Sequence, residues 1–266
     1  MKKLIYVLLA IIFIIGCYVG AYFYWQSLQQ ASEPVQTAQL STPAPPPPVV
    51  EKKPLHALVD TATAELPPLE ESDHSVVDAL NALLTPSLLE CLNLERVIHN
   101  VVATIDNLPR DKVSVHVLPI KTAKGKFLVD GADDDLTISA KNAARYDPYV
   151  NLAEAIDTQK LVATYIRLYP LFQRAYVELG YPDGYFNDRL LIVIDHLLDA
   201  PEIQTPVKVI QPKVFYVYAD PEIEQLSIGQ RIMVRIGYDN QIKIKTKLKA
   251  IKSELLAHIH MGEIPI

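Results

Sequence analysis

An uncharged run from Leu4 to Trp25 divides this chain before its remaining pattern can be read. At 1.5 Å per residue, a helix of these 22 residues reaches roughly 33 Å, enough to cross a hydrocarbon core. The run closes on Tyr22-Phe23-Tyr24-Trp25, rings suited to a bilayer–water interface. A cleaved signal peptide would have a shorter apolar region and a small-x-small site, and no Ala-x-Ala pattern closes this one. The expectation is a transmembrane anchor over residues 1–25, with Leu4 to Trp25 in contact with lipid.

Ile14-Ile15-Gly16-Cys17 has the look of a bacterial lipoprotein cleavage box, which would make Cys17 the lipidated residue. Against it, the residues after Gly20 are apolar or aromatic, where a lipidated cysteine leads into a polar tether. Both readings put the rest of the chain on the same side. Lys2 and Lys3 precede the run and no further cation occurs until Lys52, so the N-terminus is expected in the cytoplasm. In a bacterium this is an inner-membrane protein with its main domain in the periplasm. Of the two cysteines, Cys17 lies in the span, so Cys91 has no disulfide partner in the folded part.

Residues 26–65 read as a linker, with Gln26, Gln29, Gln30 and Gln36 followed by Pro43-Ala44-Pro45-Pro46-Pro47-Pro48. From Leu66 the pattern becomes that of a globular domain, expected over 66–262. Ser72-Asp73 marks a helix start before Val76, Leu80 and Leu83, and Pro86 opens a second helix whose period runs to Asn107. Lys112–Lys121, Lys126–Val129, Leu136–Ser139 and Val207–Tyr218 are strand-like. The stripe Leu161, Tyr165, Leu168, Phe172, Tyr176, Leu179 fits one helical face, which Pro170 must kink or divide. Further faces follow at Phe186, Leu190, Val193, Leu197 and at Ile244, Leu248, Ile251, Leu255. The expected fold class is α+β, mainly helical, with a small sheet or hairpin.

The net charge of −6, from 25 Lys and Arg against 31 Asp and Glu, disfavours a general nucleic-acid binder. Phosphate-loop, nucleophile-elbow and zinc-protease motifs are missing from the sequence, and no cofactor or metal is implied. The acids of 130–135 do not fall at EF-hand positions and read as a solvated turn. His258 and His260 diverge on a helix. Cys91 and His99, eight apart on one helix, are too distant to pair. Lys243, Lys245, Lys247, Lys249 and Lys252 read as the wet side of a helix, or as a surface for anionic headgroups. Asp188, Asp195 and Asp199 share a helical face beside His196. Asp188 and Asp195 are nevertheless separated by about 10.5 Å of helix rise, beyond the usual spacing of a hydrolytic carboxylate pair.

Seven of the 14 tyrosines fall between residues 146 and 185. Helical periodicity accounts for Tyr165, Tyr169 and Tyr176, but not for the turn Tyr181-Pro182-Asp183-Gly184-Tyr185-Phe186-Asn187-Asp188-Arg189. That turn either presents Tyr181, Tyr185, Asn187, Asp188 and Arg189 as one accessible ligand or partner surface, or forms a self-satisfied corner in which Asn187 caps the next helix.

The stretch Tyr169-Pro170-Leu171-Phe172-Gln173, then Glu178-Leu179-Gly180-Tyr181-Pro182, Gly184 to Leu190 and Ile194-Asp195-His196-Leu197-Leu198, resembles an uncharacterised proteobacterial family known only as domain of unknown function number three-zero-one-four. Leu66-Pro67-Pro68-Leu69, Asp106-Asn107-Leu108-Pro109-Arg110, Arg145-Tyr146, Gln211-Pro212-Lys213-Val214, Asp220-Pro221 and Gly229-Gln230 extend the likeness over roughly 66–252. The resemblance implies an anchored inner-membrane protein with a Pro-rich tether and a periplasmic domain. It carries over no activity and no catalytic residue. The leading reading is a non-enzymatic binding or scaffold role toward an envelope protein or cell-wall component. The alternative is an unrecognised periplasmic hydrolase using Asp188, Asp195 and His196.

A reporter enzyme that works only after export is expected to be active when fused after Gln30. Moving the lysines to positions 26–28 should silence it. Lipid labelling that Cys17→Ser abolishes would identify the lipoprotein instead.

Overall fold

The computed structural model describes residues 54–58 and 66–260, apart from 113, 133–134 and 205. The expected anchor over 1–25 and most of the expected linker lie outside the described residues. Among the described residues, no helix is long and apolar enough to cross a membrane.

The strands are β1 (Ala57–Leu58), β2 (Val129–Asp130), β3 (Leu136–Ile138), β4 (Lys208–Ile210), β5 (Val217–Tyr218) and β6 (Ile259–His260). The helices are α1 (Asp73–Leu83), α2 (Pro86–Leu89), α3 (Val97–Asn107), α4 (Asp147–Ala155), α5 (Thr158–Glu178), α6 (Phe186–Leu198), α7 (Pro221–Glu224), α8 (Ile228–Arg235) and α9 (Tyr238–Ala257). Four strands form an antiparallel sheet in the order β2-β3-β4-β5, and β1 pairs antiparallel with β6. The fold is mainly helical α+β, as the sequence pattern indicates.

Helix α6 organises the packing. It touches α3 and α5 at its start and α8 and α9 further along. Its buried residues, Phe186, Leu191, Val193 and Ile194, therefore cover more of its circumference than the single expected stripe, while Leu190 and Leu197 stay half-buried. Leu69, Val76, Ile98, Val102, Leu171 and Tyr176 gather round Phe186. Val162, Ile166 and Leu255 close on Leu191 and Ile194 from α5 and α9. Burying each large apolar side chain contributes roughly 1.5–3 kcal/mol, so these two clusters hold the helices together.

Several expectations are corrected. Ala57–Leu58 falls in the stretch expected to be linker, yet it pairs with Ile259–His260. The helical period expected from Pro86 to Asn107 is broken between α2 and α3, because Arg96 takes a left-handed φ of 49° while the Asp73 carboxylate accepts from the Arg96 and Val97 N–H groups at 2.6 and 2.9 Å. Cys91 and His99 accordingly do not share a helix. The strand expected over Lys112–Lys121 is a 3-10 turn at Val115–Val117, because the Thr104 hydroxyl donates to the Val117 carbonyl at 2.8 Å. Val207–Tyr218 is not one strand but the hairpin β4–β5. Helix α5 runs unbroken through Pro170, which has no N–H for the Ile166 carbonyl.

The lysines of α9 form a wet face only in part: Lys243 and Lys249 are exposed, but four of the five meet partners on neighbouring segments. Lys245 is buried and donates to the Ala200 carbonyl at 2.6 Å and to Glu202 at 2.7 Å. Lys243 pairs with Glu154, Lys252 with Asp195, and Lys247 donates to the Ile156 carbonyl. Each ties the helix to a different neighbour.

The junction between α8 and the end of α3 is equally close. The Gly229 N–H donates to the Leu108 carbonyl at 2.9 Å, and a Cβ at Gly229 would come within 2.9 Å of that oxygen and 2.7 Å of Leu197 Cδ2. Gly229→Ala is therefore expected to destabilise the domain by about 1–3 kcal/mol, read as a lower urea midpoint with an unchanged slope.

Candidate functional site

Tyr181-Pro182-Asp183-Gly184 connects α5 to α6, and its conformation follows from one amide. Gln173 on α5 donates from Nε2 to the Gly184 carbonyl at 2.7 Å, while its Oε1 accepts from the Phe186 N–H at 2.9 Å and the Tyr169 hydroxyl at 2.9 Å. Gly180 ends the preceding helix at φ 113°, a conformation that costs other residues a steric clash. Tyr181 then folds back, its ring stacked 4.5 Å from that of Tyr176.

The expected surface constellation does not exist as one patch. Four of its five members divide between two polar centres, and Asn187 is fully buried.

The first centre is Asp106, at the end of α3 and almost wholly buried. Its Oδ1 accepts from Arg189 Nε at 3.0 Å, and its Oδ2 accepts from Arg110 Nη2 at 2.6 Å and the Tyr181 hydroxyl at 3.1 Å. Arg189 Nη2 also donates to the Asp106 carbonyl at 2.7 Å. A buried carboxylate is costly unless its lone pairs are filled, and here three donors fill them. Burial, followed by the Asp106 charge, raises the Tyr176 pKa above its ordinary value.

The second centre is Asp188. Its carboxylate accepts from the backbone N–H groups of Leu55 and His56 at 3.0 and 2.8 Å, and His56 Nδ1 lies 2.8 Å from Oδ1. Asn187 beside it donates from Nδ2 to the His56 carbonyl at 2.9 Å and accepts from the Tyr165 hydroxyl at 3.2 Å. Burial pushes the pKa of Tyr169 to about 12 and that of Tyr165 well up. Asn187 thus does not cap α6; together with Asp188 it clasps the arm at residues 55–58. Tyr185 is half-buried at the position preceding α6, where its carbonyl accepts from the Arg189 N–H at 3.2 Å.

The alternative catalytic set does not converge either. Asp188 holds the arm, Asp195 is engaged by Lys252, and His196 Nε2 lies 2.7 Å from Ser227 Oγ at the start of α8. Of the acids in 130–135, Asp130 ends β2 and Asp135 precedes β3, 2.9 Å from Lys208, while 133–134 lie outside the described residues. Lys208 is the first cause of the lowered Asp135 pKa. His258 reaches back to Glu254. Among the described residues, no His, Cys, Asp and Glu side chains gather into a group able to hold a metal ion.

The concave feature with the most uniform chemistry lies elsewhere. A groove of about 330 Å³ runs between α1, α3, α5, α6 and α9, walled by residues including Ala79, Leu83, Val101, Leu161, Phe172 and Leu190, with no polar atom exposed in its lining. Tyr165 contributes only ring carbon, because its hydroxyl is engaged with Asn187. No sequence pattern singles this groove out, since its residues are the inward faces of five helices. Asp106 and Arg110 were legible as an i, i+4 pair of opposite charge, whereas the roles of Gln173 and His56 carried no sequence signal.

Fold and site together define a helical α+β domain whose interhelical turn is fixed by a buried carboxylate and whose helices enclose an apolar groove. The family described as Protein of unknown function (DUF3014) matches residues 97–252, more than half of the chain, and the chain belongs to that family. No curated protein and no solved structure matches the chain.

Asp106→Asn leaves the guanidiniums of Arg110 and Arg189 facing an uncharged amide. It is expected to lower unfolding free energy by about 2–4 kcal/mol, measured by urea denaturation. Asp188→Asn should act locally: the amides of Leu55 and His56 should exchange with deuterium several-fold faster, with global stability changed far less than by Asp106→Asn.

Proposed function

We propose that the protein is a single-pass inner-membrane component whose helical domain faces the periplasm and binds an envelope ligand without turning it over. Leu4–Trp25, with Lys2 and Lys3 before it, supports the anchor and its orientation. The single observation that carries the binding role is the wholly apolar groove. Its volume lies at the small end of the range for ligand pockets, and its walls offer no hydrogen bond to fix a polar substrate. An aliphatic chain of the kind found in lipids suits those walls, with its polar end left in solvent. The separate structural duties of Asp188, Asp195 and His196 favour binding over hydrolysis.

A fragment covering 51–266 is expected to enhance the fluorescence of a polyene fatty acid, with dodecanoate displacing it. Val101→Phe, which narrows the groove, should weaken binding about tenfold, or about 1.4 kcal/mol, at an unchanged melting midpoint. Equal binding by Val101→Phe would move the ligand away from the groove. The absence of any binding would end this reading.

A further inference from the structure

We propose a second, independent site, for a compact anion carrying two negative charges, in the cavity beneath the loop at residues 121–126. The cavity has a volume of about 430 Å³, and its wall carries three cations, Lys121, Lys124 and Arg145, against one acid, Glu90. In a chain whose formal charge is −6, this is a local reversal of sign. Cys91 and Tyr149 complete the part of the wall that matters here.

The loop is held by its backbone. Arg145 Nε donates to the Lys124 carbonyl at 3.1 Å, its Nη2 to the Gly125 carbonyl at 3.0 Å, and its Nη1 to Asn142 Oδ1 at 3.0 Å. At the other end, the Lys121 N–H donates to the Cys91 carbonyl at 2.9 Å and the Asn93 N–H to the Pro119 carbonyl at 2.8 Å. Gly125, at φ 80°, makes the turn between these anchors.

Lys121 and Lys124 differ from the lysines that tie α9 to its neighbours. Lys243, Lys245, Lys247 and Lys252 each meet an acid or a carbonyl. The ammonium groups of Lys121 and Lys124 meet no hydrogen-bond or ion-pair partner among the described residues, yet both border one cavity. Behind Arg145, Asn142 is fully buried with its Oδ1 fixed by the Leu128 N–H and by Arg145, while its Nδ2 has no partner.

Three cationic residues on one wall attract a dianion far more than a monoanion, because the Coulomb energy scales with the charge product. Solvent screening at the cavity mouth keeps the expected affinity modest. A phosphoryl group and a dicarboxylate share the required chemistry. Burial, and next to it the Cys91 charge, raises the Tyr149 pKa, which accords with the thiol and the phenol sitting side by side on this wall. Cys91 is therefore a built-in reporter of occupancy.

The test uses the full-length chain carrying Cys17→Ser, so that Cys91 is the sole thiol. Its alkylation by iodoacetamide, a neutral reagent, is followed with inorganic phosphate, malonate or chloride at matched ionic strength and pH 8. Phosphate or malonate should slow the reaction several-fold relative to chloride. Lys121→Gln with Lys124→Gln should abolish the protection at an unchanged melting midpoint. Protection by phosphate alone assigns a phosphoryl ligand, and protection by malonate alone assigns a carboxylate one. Equal rates in all three salts, or equal protection in the lysine variant, overturn the proposal. Equilibrium dialysis of the unmodified chain against the same two anions gives a result that does not depend on the variant folding, and retention of neither anion also overturns it.

Discussion

The Asp106 carboxylate is the constraint on which the arrangement of this domain depends. It lies at the end of α3, and the groups that neutralise it come from three places: Arg110 just beyond the same helix, Tyr181 in the turn after α5, and Arg189 in the first turn of α6. Removing one donor leaves a buried negative charge short of a partner, so the three segments are coupled by the cost of separating them. Arg189 brings the start of α6 to α3, and the stacked Tyr176 and Tyr181 rings hold the end of α5 to the same centre. Phe186 then falls at the middle of the largest apolar cluster, parallel to Phe172. The aromatic turn is a joint between helices, and its polar residues face inward to serve it.

The polar side chains that suggest chemistry and the concave surface that suggests binding are in different parts of the molecule. Asp188, Asp195 and His196 lie on one helix but point to the arm, to α9 and to α8 in turn. This is the expected outcome for a helix packed against several neighbours, where each polar residue finds the nearest partner. The groove arises where five helices leave apolar walls incompletely filled. Dispersed acids and an apolar concavity are the two observations on which the proposed binding role rests.

Much of the helical framework could be read from the chain. Ser72-Asp73, Pro86, Gly180 and Asp220-Pro221 mark boundaries through local backbone chemistry that tertiary contacts leave intact, and α1, α2, α5 and α7 begin or end there. The failures share a cause. Arg96 is left-handed because the Asp73 carboxylate, 23 residues away in sequence, binds the N–H groups at the start of α3. Lys112–Lys121 alternates like a strand but has no full strand beside it, and contributes only a bridge between Leu92 and Ile120. Four of the five lysines of α9 look solvated in sequence because their partners, among them Ala200, Glu202 and Ile156, are brought to them only by the fold. The candidate residues of the turn were correctly singled out as unusual, but an unusual composition could not tell inward from outward, and a buried Asn187 looks the same in sequence as an exposed one.

The pairing of β1 with β6 gives the domain a mechanical character. The chain enters at residues 54–58, where two backbone N–H groups sit on Asp188, and it passes directly into hydrogen bonds with Ile259–His260 beyond α9. Tension arriving from the N-terminal side would load the Asp188 contacts on α6 first and the short two-stranded ribbon next, ahead of the apolar clusters between the helices. The load would spread to α6 through Asp188 and to the end of α9 through β6, two helices already packed on each other. Entry and exit segments that fasten to one another close the fold into a loop, so a pull on the leading end would be borne by a clasp at the surface while the apolar walls behind it kept their shape.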